Sequence, residues 1–208
     1  MSAREALARR RSWPRVTEAA PDEDQLAALV AVAARTADHA ALAPWRLIQI
    51  RGRARDRVAR ALADAEGASA PSPKPLRAPL LIAIVASIRD HPSVPDWEQE
   101  IAAAGVAHAL SLLLDEAGWG VMWRSGPWVR SDAVARAHDL QPGERLLGWL
   151  YVGGRPAAEK PGRPREVDLA AHLGSLAAID PIDDGPVAHP GWGRPNGRPR
   201  PGKDDPVA

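Results

Sequence analysis

Residues 80–86 read Leu-Leu-Ile-Ala-Ile-Val-Ala, an apolar run with no polar interruption. Such a run suits a strand covered on both faces, since a strand with one wet face would alternate apolar and polar residues. A chain containing it must supply a layer on each side. A length of 208 residues permits this, at roughly one domain of ~100–200 residues that buries about 70% of its unfolded surface.

The remaining pattern supplies the layers. Residues 3–10 are rich in helix formers and stop before Trp13-Pro14, where proline disfavours helix at the preceding residue. An acidic start at Pro21-Asp22-Glu23-Asp24-Gln25 opens a second helix, with Leu26, Leu29, Val30, Ala33 and Ala34 on one face. Residues 36–44 read as a loop, 45–50 as a strand closed by Gly52, and 53–65 as a helix. The segment 67–79 is dense in Ser, Pro and Ala and reads as a mobile loop; residues 90–96 form another loop. Residues 97–117 form the longest helix, apolar nearly all round and so expected to be buried nearly all round, with Gly118 as its stop. A short strand at 120–123 leads into Arg124-Ser125-Gly126-Pro127. Ser131 caps a short helix reaching His138, and 146–152 is the last strand, ended by Gly153-Gly154. Helices and strands in this order are α/β material in one layered domain. Residues 181–208 hold seven Pro and five Gly with almost no apolar periodicity. They are expected to be a disordered tail, or an arm that orders on a partner, leaving residues 1–180 as the folded domain.

Composition excludes several chemistries. There is no cysteine, so disulfides, Cys-ligated zinc, iron–sulfur clusters and thiol nucleophiles are ruled out. A net charge of +1 gives no global argument for nucleic acid or anionic membrane. No secretory h-region is visible, and the uncharged run 101–114 is too short for a bilayer. A cytoplasmic protein that neither spans a membrane nor binds nucleic acid is expected. The histidines lack metal-site spacing, and the phosphate-binding, nucleophile-elbow and dinucleotide fingerprints are all missing. Of the 27 basic residues 24 are arginine. This skew reads as the codon bias of a GC-rich genome, so no arginine counts as a binding device by itself.

Four clusters remain as candidates. Arg9-Arg10-Arg11-Ser12 offers forked cations and a hydroxyl suited to phosphate, or merely a solvated basic helix end. Arg35 and His39 lie at a helix end and in a loop before Pro44-Trp45-Arg46, where functional residues concentrate but where His39 could simply anchor the loop. Trp123, Arg124, Ser125 and Gly126 follow a strand end, where layered proteins place ligands, though an ordinary turn reads the same. Asp96, Glu98 and Glu100 look like paired carboxylates, yet acidic residues are simply favourable at a helix start.

Taken in order, Arg10-Arg11-Ser12, the Arg35…His39…Pro44-Trp45-Arg46 block, Arg77-Ala78-Pro79 before an apolar strand, Trp97-Glu98-Gln99-Glu100 and Trp123-Arg124-Ser125-Gly126 form one set. That set resembles the nitroreductase family of flavin enzymes, most closely its compact bacterial NAD(P)H nitroreductases, over residues 3–156. The resemblance implies an α+β, three-layer fold with a central, mostly antiparallel sheet flanked by helices. It also implies an intertwined homodimer with FMN at the subunit interface and the helix 97–117 buried there. By the same resemblance Arg10, Arg11 and Ser12 hold the FMN phosphate and ribityl chain. Arg35 and His39 reach the flavin from the other subunit, Trp123, Arg124 and Ser125 lie along the isoalloxazine, and residues 113–118 match a region attributed to nicotinamide binding. Where larger members carry an Asn and a Gln before the Pro-Trp pair, this chain has Ala41 and Ala43; for their C-terminal basic residue, Arg163 or Arg165 would serve. The implied activity is ping-pong hydride transfer from NADH or NADPH through flavin N5 to a small-molecule acceptor such as a nitroaromatic or quinone, with no obligatory catalytic side chain. Three alternatives stay open: a flavin dehydrogenase or dehalogenase on the same fold, a non-catalytic flavin-binding or storage dimer, and an interaction protein acting through its tail.

Overall fold

The computed structural model describes residues 2–157 and 166–175. Its regular elements are α1 (Ala3–Arg9), α2 (Glu23–Ala33), β1 (Trp45–Arg51), α3 (Ala54–Glu66), β2 (Leu80–Ser87), α4 (Asp96–Glu116), β3 (Trp119–Arg124), α5 (Asp132–Ala137) and β4 (Glu144–Gly154). The strands form one antiparallel sheet in the order β1-β2-β4-β3. This is the α+β, three-layer arrangement expected.

The apolar run is an inner strand of that sheet. Leu80 through Ala86 are fully buried, and their alternation serves two cores. Leu80, Ile82 and Ile84 meet Val106, Leu110 and Leu114 of α4 and Leu26 of α2. Leu81, Ala83 and Val85 meet Val58 and Leu62 of α3 and Val134 of α5. Local signals set the helix ends. Asp22 and Gln25 exchange a capping box at the start of α2, satisfying donors that the first turn leaves open. Gly67, at φ 69°, takes the left-handed turn that stops α3.

Two expectations need correction. The loop 67–79 is not a free flap. It contains a 3-10 turn, Lys74–Arg77, and buries Ser72 and Pro75. Ser72 N–H donates to the Ala59 carbonyl at 3.0 Å, Arg55 Nη1 to the Ala78 carbonyl at 2.7 Å, and Lys74 pairs with Glu66 at 2.5 Å. The anchors all come from α3, so composition alone did not show them. Nor is α4 buried nearly all round within one chain. Trp97 is 55% exposed and Ile101 61% exposed, and His108 and Leu112, on the same side, are exposed and half-buried. The loop before α4 is clamped instead by buried Gln99. Its Nε2 donates to the carbonyls of Arg89 and Val94, and its Oε1 accepts the Arg89 N–H.

Met1–Gly162 form one compact unit and Arg163–Ala208 a second. The described part of the second contains a 3-10 turn, Leu169–Ala171, capped by Asp168. Arg163, Arg165, the expected boundary at 180/181 and the expected tail lie outside the described residues. No helix among the described residues is long and apolar enough to cross a membrane.

One ion pair ties three strands together. Arg46 on β1 donates from Nε and Nη2 to the two oxygens of Glu144 on β4, at 2.5 and 2.6 Å, and Ser87 of β2 donates to Glu144 Oε1 at 3.2 Å. The Arg46 guanidinium leads the effects that pull the Glu144 carboxyl from its ordinary 4.5 to about 2. A carboxylate depressed on folding stabilises the native state above its unfolded value, and that contribution is lost as pH falls through the folded one. Glu144→Gln should therefore cost about 1–2 kcal/mol at neutral pH, after allowance for the partly exposed arginine, and should flatten the acid limb of stability between 4.5 and about 2. Urea unfolding across that range checks it; an unchanged acid slope contradicts the assignment.

Candidate functional site

β3 is an edge strand of the sheet, and the site is built where it ends. Trp123, on one side, sets its ring against His108 of α4, with centroids 5.0 Å apart. Arg124, on the other side, places its guanidinium 5.2 Å from the centre of the Tyr151 ring. Its Nε is buried and has no hydrogen-bond partner among the described residues. A buried donor left unpaired costs about 1–3 kcal/mol, so it marks a place where an acceptor is wanted.

Arg124 lines a cavity of about 490 Å³, inside the ~300–1,000 Å³ range typical of small-molecule and cofactor sites. Its lining combines the aromatic residues Trp128, Trp149 and Tyr151 with the cations Lys74, Arg77 and Arg124. Lys74 is neutralised by Glu66. Arg77 and Arg124 have no acidic partner within ion-pair distance among the described residues. Burial pushes the Tyr151 phenol above its ordinary 10.0, with Arg124 and Arg77 pulling the other way, so the phenol is neutral at physiological pH. These walls suit a planar, electron-acceptor-rich ligand: faces for stacking, donors for its edge.

The N-terminal arm is anchored to both β3 and β4. Trp13 N–H donates to the Val121 carbonyl at 3.0 Å, and Thr17 N–H to the Gly154 carbonyl at 2.8 Å. Between these bonds Val16 lies over Gly120 of β3 and Gly153 of β4, so the arm passes from β3 to β4. Trp13 fixes this course. Its buried ring lies under the guanidinium of Arg11 at 4.2 Å and of Arg155 at 4.9 Å. Its Nε1–H donates to Asp115 Oδ1 at 3.4 Å, an oxygen that also accepts from Arg155 Nη2 at 2.7 Å. Arg10 itself closes α1 through its backbone N–H, and its side chain and that of Ser12 are exposed. Trp123, Arg124 and Ser125 line the cavity at the end of β3; Arg11 instead stacks on Trp13 beside Arg155.

Arg35 and His39 do not join them within one chain. Arg35 is exposed just beyond α2, beside Thr36, which rests over Gly105. His39 pairs through Nδ1 with Glu98 Oε1 at 2.8 Å, about 15 Å along α4 from the His108–Trp123 contact at 1.5 Å per residue. Its loop is strained: Ala40, Ala41 and Ala43 have φ of 59°, 51° and 45°, a region costly for residues other than glycine. The candidate carboxylates are all engaged, Glu98 by His39, Glu100 by Arg145 and Arg130, and Asp96 by Arg145, so they form no acid–base pair. No group of three potential metal ligands occurs among the described residues. Lys74, Arg77, Trp149 and Tyr151 were not selected from sequence. The Arg77-Ala78-Pro79 triplet was the one hint, and the sheet order is what carries that loop to the β3 end.

Gly148 of β4 makes this end possible. At φ +135° a Cβ would lie 2.5 Å from the Arg124 carbonyl oxygen and 2.8 Å from Trp123 Nε1. Gly148→Ala should destabilise the chain by about 2 kcal/mol or more and displace Trp123 and Arg124 together. Thermal unfolding and near-UV circular dichroism read the two effects; a variant matching the parent in both would contradict this account of the β3 end.

The comparisons with known proteins accord with this geometry. The sequence model of the Nitroreductase family matches residues 7–154. The chain is 34% identical to "Putative NAD(P)H nitroreductase YdjA" of Escherichia coli (strain K12) over 161 residues, which are 74% of this chain and 88% of that protein. Its fold is similar to a nitroreductase-like family protein from Bacillus cereus, with a TM-score of 0.72 at 20% identity over 85% of this chain and 97% of that one. It is also similar to a mutant of the FMN and NADPH-dependent nitroreductase NfnB derived from Sphigopyxis sp. strain HMH, with a TM-score of 0.70 at 19% identity over 85% of this chain and all of that one. A family match over most of the chain, joined to this degree of identity, places it plainly: the chain belongs to the nitroreductase family.

Proposed function

We propose that this chain is an FMN-dependent oxidoreductase that draws electrons from NADH or NADPH and reduces a small electrophile such as a nitroaromatic or quinone. The observation that carries the reading is the aromatic cavity lined by Arg124, whose buried Nε has no hydrogen-bond partner among the described residues. Isoalloxazine fits that setting, being planar and carrying carbonyl and ring-nitrogen acceptors along one edge. When bound, FMN supplies the hydride-accepting and hydride-donating chemistry.

The chain's own residues hold and tune it. Arg10, Arg11 and Ser12 bind the phosphate and ribityl chain, as forked cations and a hydroxyl suit a dianion. Trp123, Arg124 and Ser125 border the ring system. Fixed N–H donors from Arg124 and Arg11 favour the negative charge that gathers on the ring edge when it is reduced.

Two copies complete the site. The apolar stripe of α4 (Trp97, Ile101, His108, Leu112) is self-complementary. Packed antiparallel on its own copy, it sets position 97 opposite 112 and 101 opposite 108, as a two-fold interface requires. This pairing carries the partner's His39 and the partner's Arg35 toward the Trp123 end, which explains why one chain leaves them apart.

The purified chain should show a flavin absorbance spectrum that bleaches on anaerobic addition of NADH or NADPH. Absence of flavin together with failure to bind added FMN would defeat the proposal. Arg124→Gln should weaken FMN binding by about 1.5–3 kcal/mol, the range for a charge-assisted hydrogen bond; unchanged affinity would remove Arg124 from the site. Ile101→Asp should yield monomers in sedimentation velocity and lose FMN with them, whereas a stable dimer would refute the α4 interface.

A further inference from the structure

We infer that His138 is a positioning residue for the cavity: as a neutral imidazole it accepts the indole N–H of Trp149 and holds that wall, and taking up a proton releases it. The placement of a cofactor in the cavity rests on the function proposed above; the link between His138 and the wall does not.

His138 is 4% exposed, at the end of α5. Its Nδ1 lies 2.8 Å from the Val134 carbonyl oxygen. A carbonyl can only accept, so Nδ1 carries the proton and the Nε2 lone pair is free. Nε2 lies 2.9 Å from Trp149 Nε1, whose N–H can only donate. The tautomer is therefore dictated by its neighbours, and both ring nitrogens are used. Trp149 is itself buried, on the β4 face that borders the cavity beside Tyr151. The two rings are tilted by 46° with centroids 5.6 Å apart, so the indole is fixed by one hydrogen bond and one ring contact at the same residue.

Protonation would put a second N–H against the indole N–H at that distance. Two donors cannot share the line, and in a buried setting one must move. The surroundings weigh against the proton at neutral pH. Burial is the main effect pushing the imidazole below its ordinary 6.5; Arg57 of α3 and Arg46 of β1 add to it, while the Val134 carbonyl and Asp139 oppose it. Asp139 is bonded to Arg57 and Glu144 to Arg46, so neither carboxylate is spare. The wall is thus held through the neutral range and loosens in acid. The sign for stability follows: below 6.5 the unfolded chain takes the proton first, so stability falls as pH drops toward the depressed folded value.

The test is a pH titration of the full chain with 15N-labelled tryptophan. The Trp149 indole cross-peak is identified by its loss in Trp149→Phe. As the pH is lowered from about 8 through the protonation of His138, it should lose its hydrogen-bonded shift and its protection from exchange, in a step matching the His138 ring resonances. In His138→Gln, whose amide can donate to Val134 and accept from the indole, the step should vanish while the cross-peak keeps its neutral-pH position. FMN affinity should fall with acid by a factor of about 2 to 10 in the parent, the range one hydrogen bond supplies, and by less in His138→Gln. An indole signal that stays put while His138 titrates, or the same step in His138→Gln, overturns the inference. Should His138→Gln fail to fold, the parent titration still decides. If FMN binds at no pH while the indole step is present, the positioning role stands and the proposed cofactor does not.

Discussion

The two-sided burial of β2 is the constraint on which the rest of the molecule depends. A strand with no wet face must lie inside a sheet and be covered twice. β1 and β4 occupy its two edges, α2 and α4 cover one face, and α3 and α5 the other. β3 is left to pair with β4 alone, and the N-terminal arm is anchored to both. The site follows from that leftover position. A strand that ends at the rim of a sheet, with different layers above and below, can present Trp123 to α4 and Arg124 to the cavity from adjacent residues.

Much of this was legible in the sequence. All nine regular elements occur in the order expected, because periodicity and caps are local signals. The Asp22/Gln25 box and Gly67 mark ends that the residues announce. What escaped was set by partners remote in the chain. The loop 67–79 looked mobile because Ser and Pro carry no apolar period, yet Arg55 and Glu66 of α3 tie it down. The place of Lys74 in the cavity wall was hidden for the same reason, and that of Arg77 was hinted at only by the Arg77-Ala78-Pro79 triplet. The His138–Trp149 bond was hidden too, since Trp149 reads in sequence as one more apolar strand residue.

The helix α4 shows a different failure. Its apolar circumference was read correctly as demanding cover, but one chain covers only part of it. On the two-fold pairing proposed above, the open stripe and the separation of Arg35 and His39 from the end of β3 have one cause. The His39 loop is also strained. Ala41 and Ala43, the positions where larger members carry Asn and Gln, have φ of 51° and 45°. Asparagine tolerates that left-handed region better than alanine. Here a left-handed backbone is carried on residues that do not ease it.

Arginine is so common in this chain that its presence anywhere means little. Its placement is another matter. The three guanidinium–ring contacts found among the described residues, Arg11 and Arg155 on Trp13 and Arg124 on Tyr151, all border β3. A codon bias spreads arginine through a chain but does not choose which ones stack. Lysine could replace the charge at these positions but not the function, because an ammonium has no plane to lie on a ring while donating sideways. At Trp13 the stacked guanidiniums hold the arm that carries Arg10 and Ser12. At Tyr151 the stacked guanidinium leaves its Nε buried with nothing to bind. Among the described residues the first arrangement is satisfied and the second is not, and that difference is why the ligand is proposed at the second.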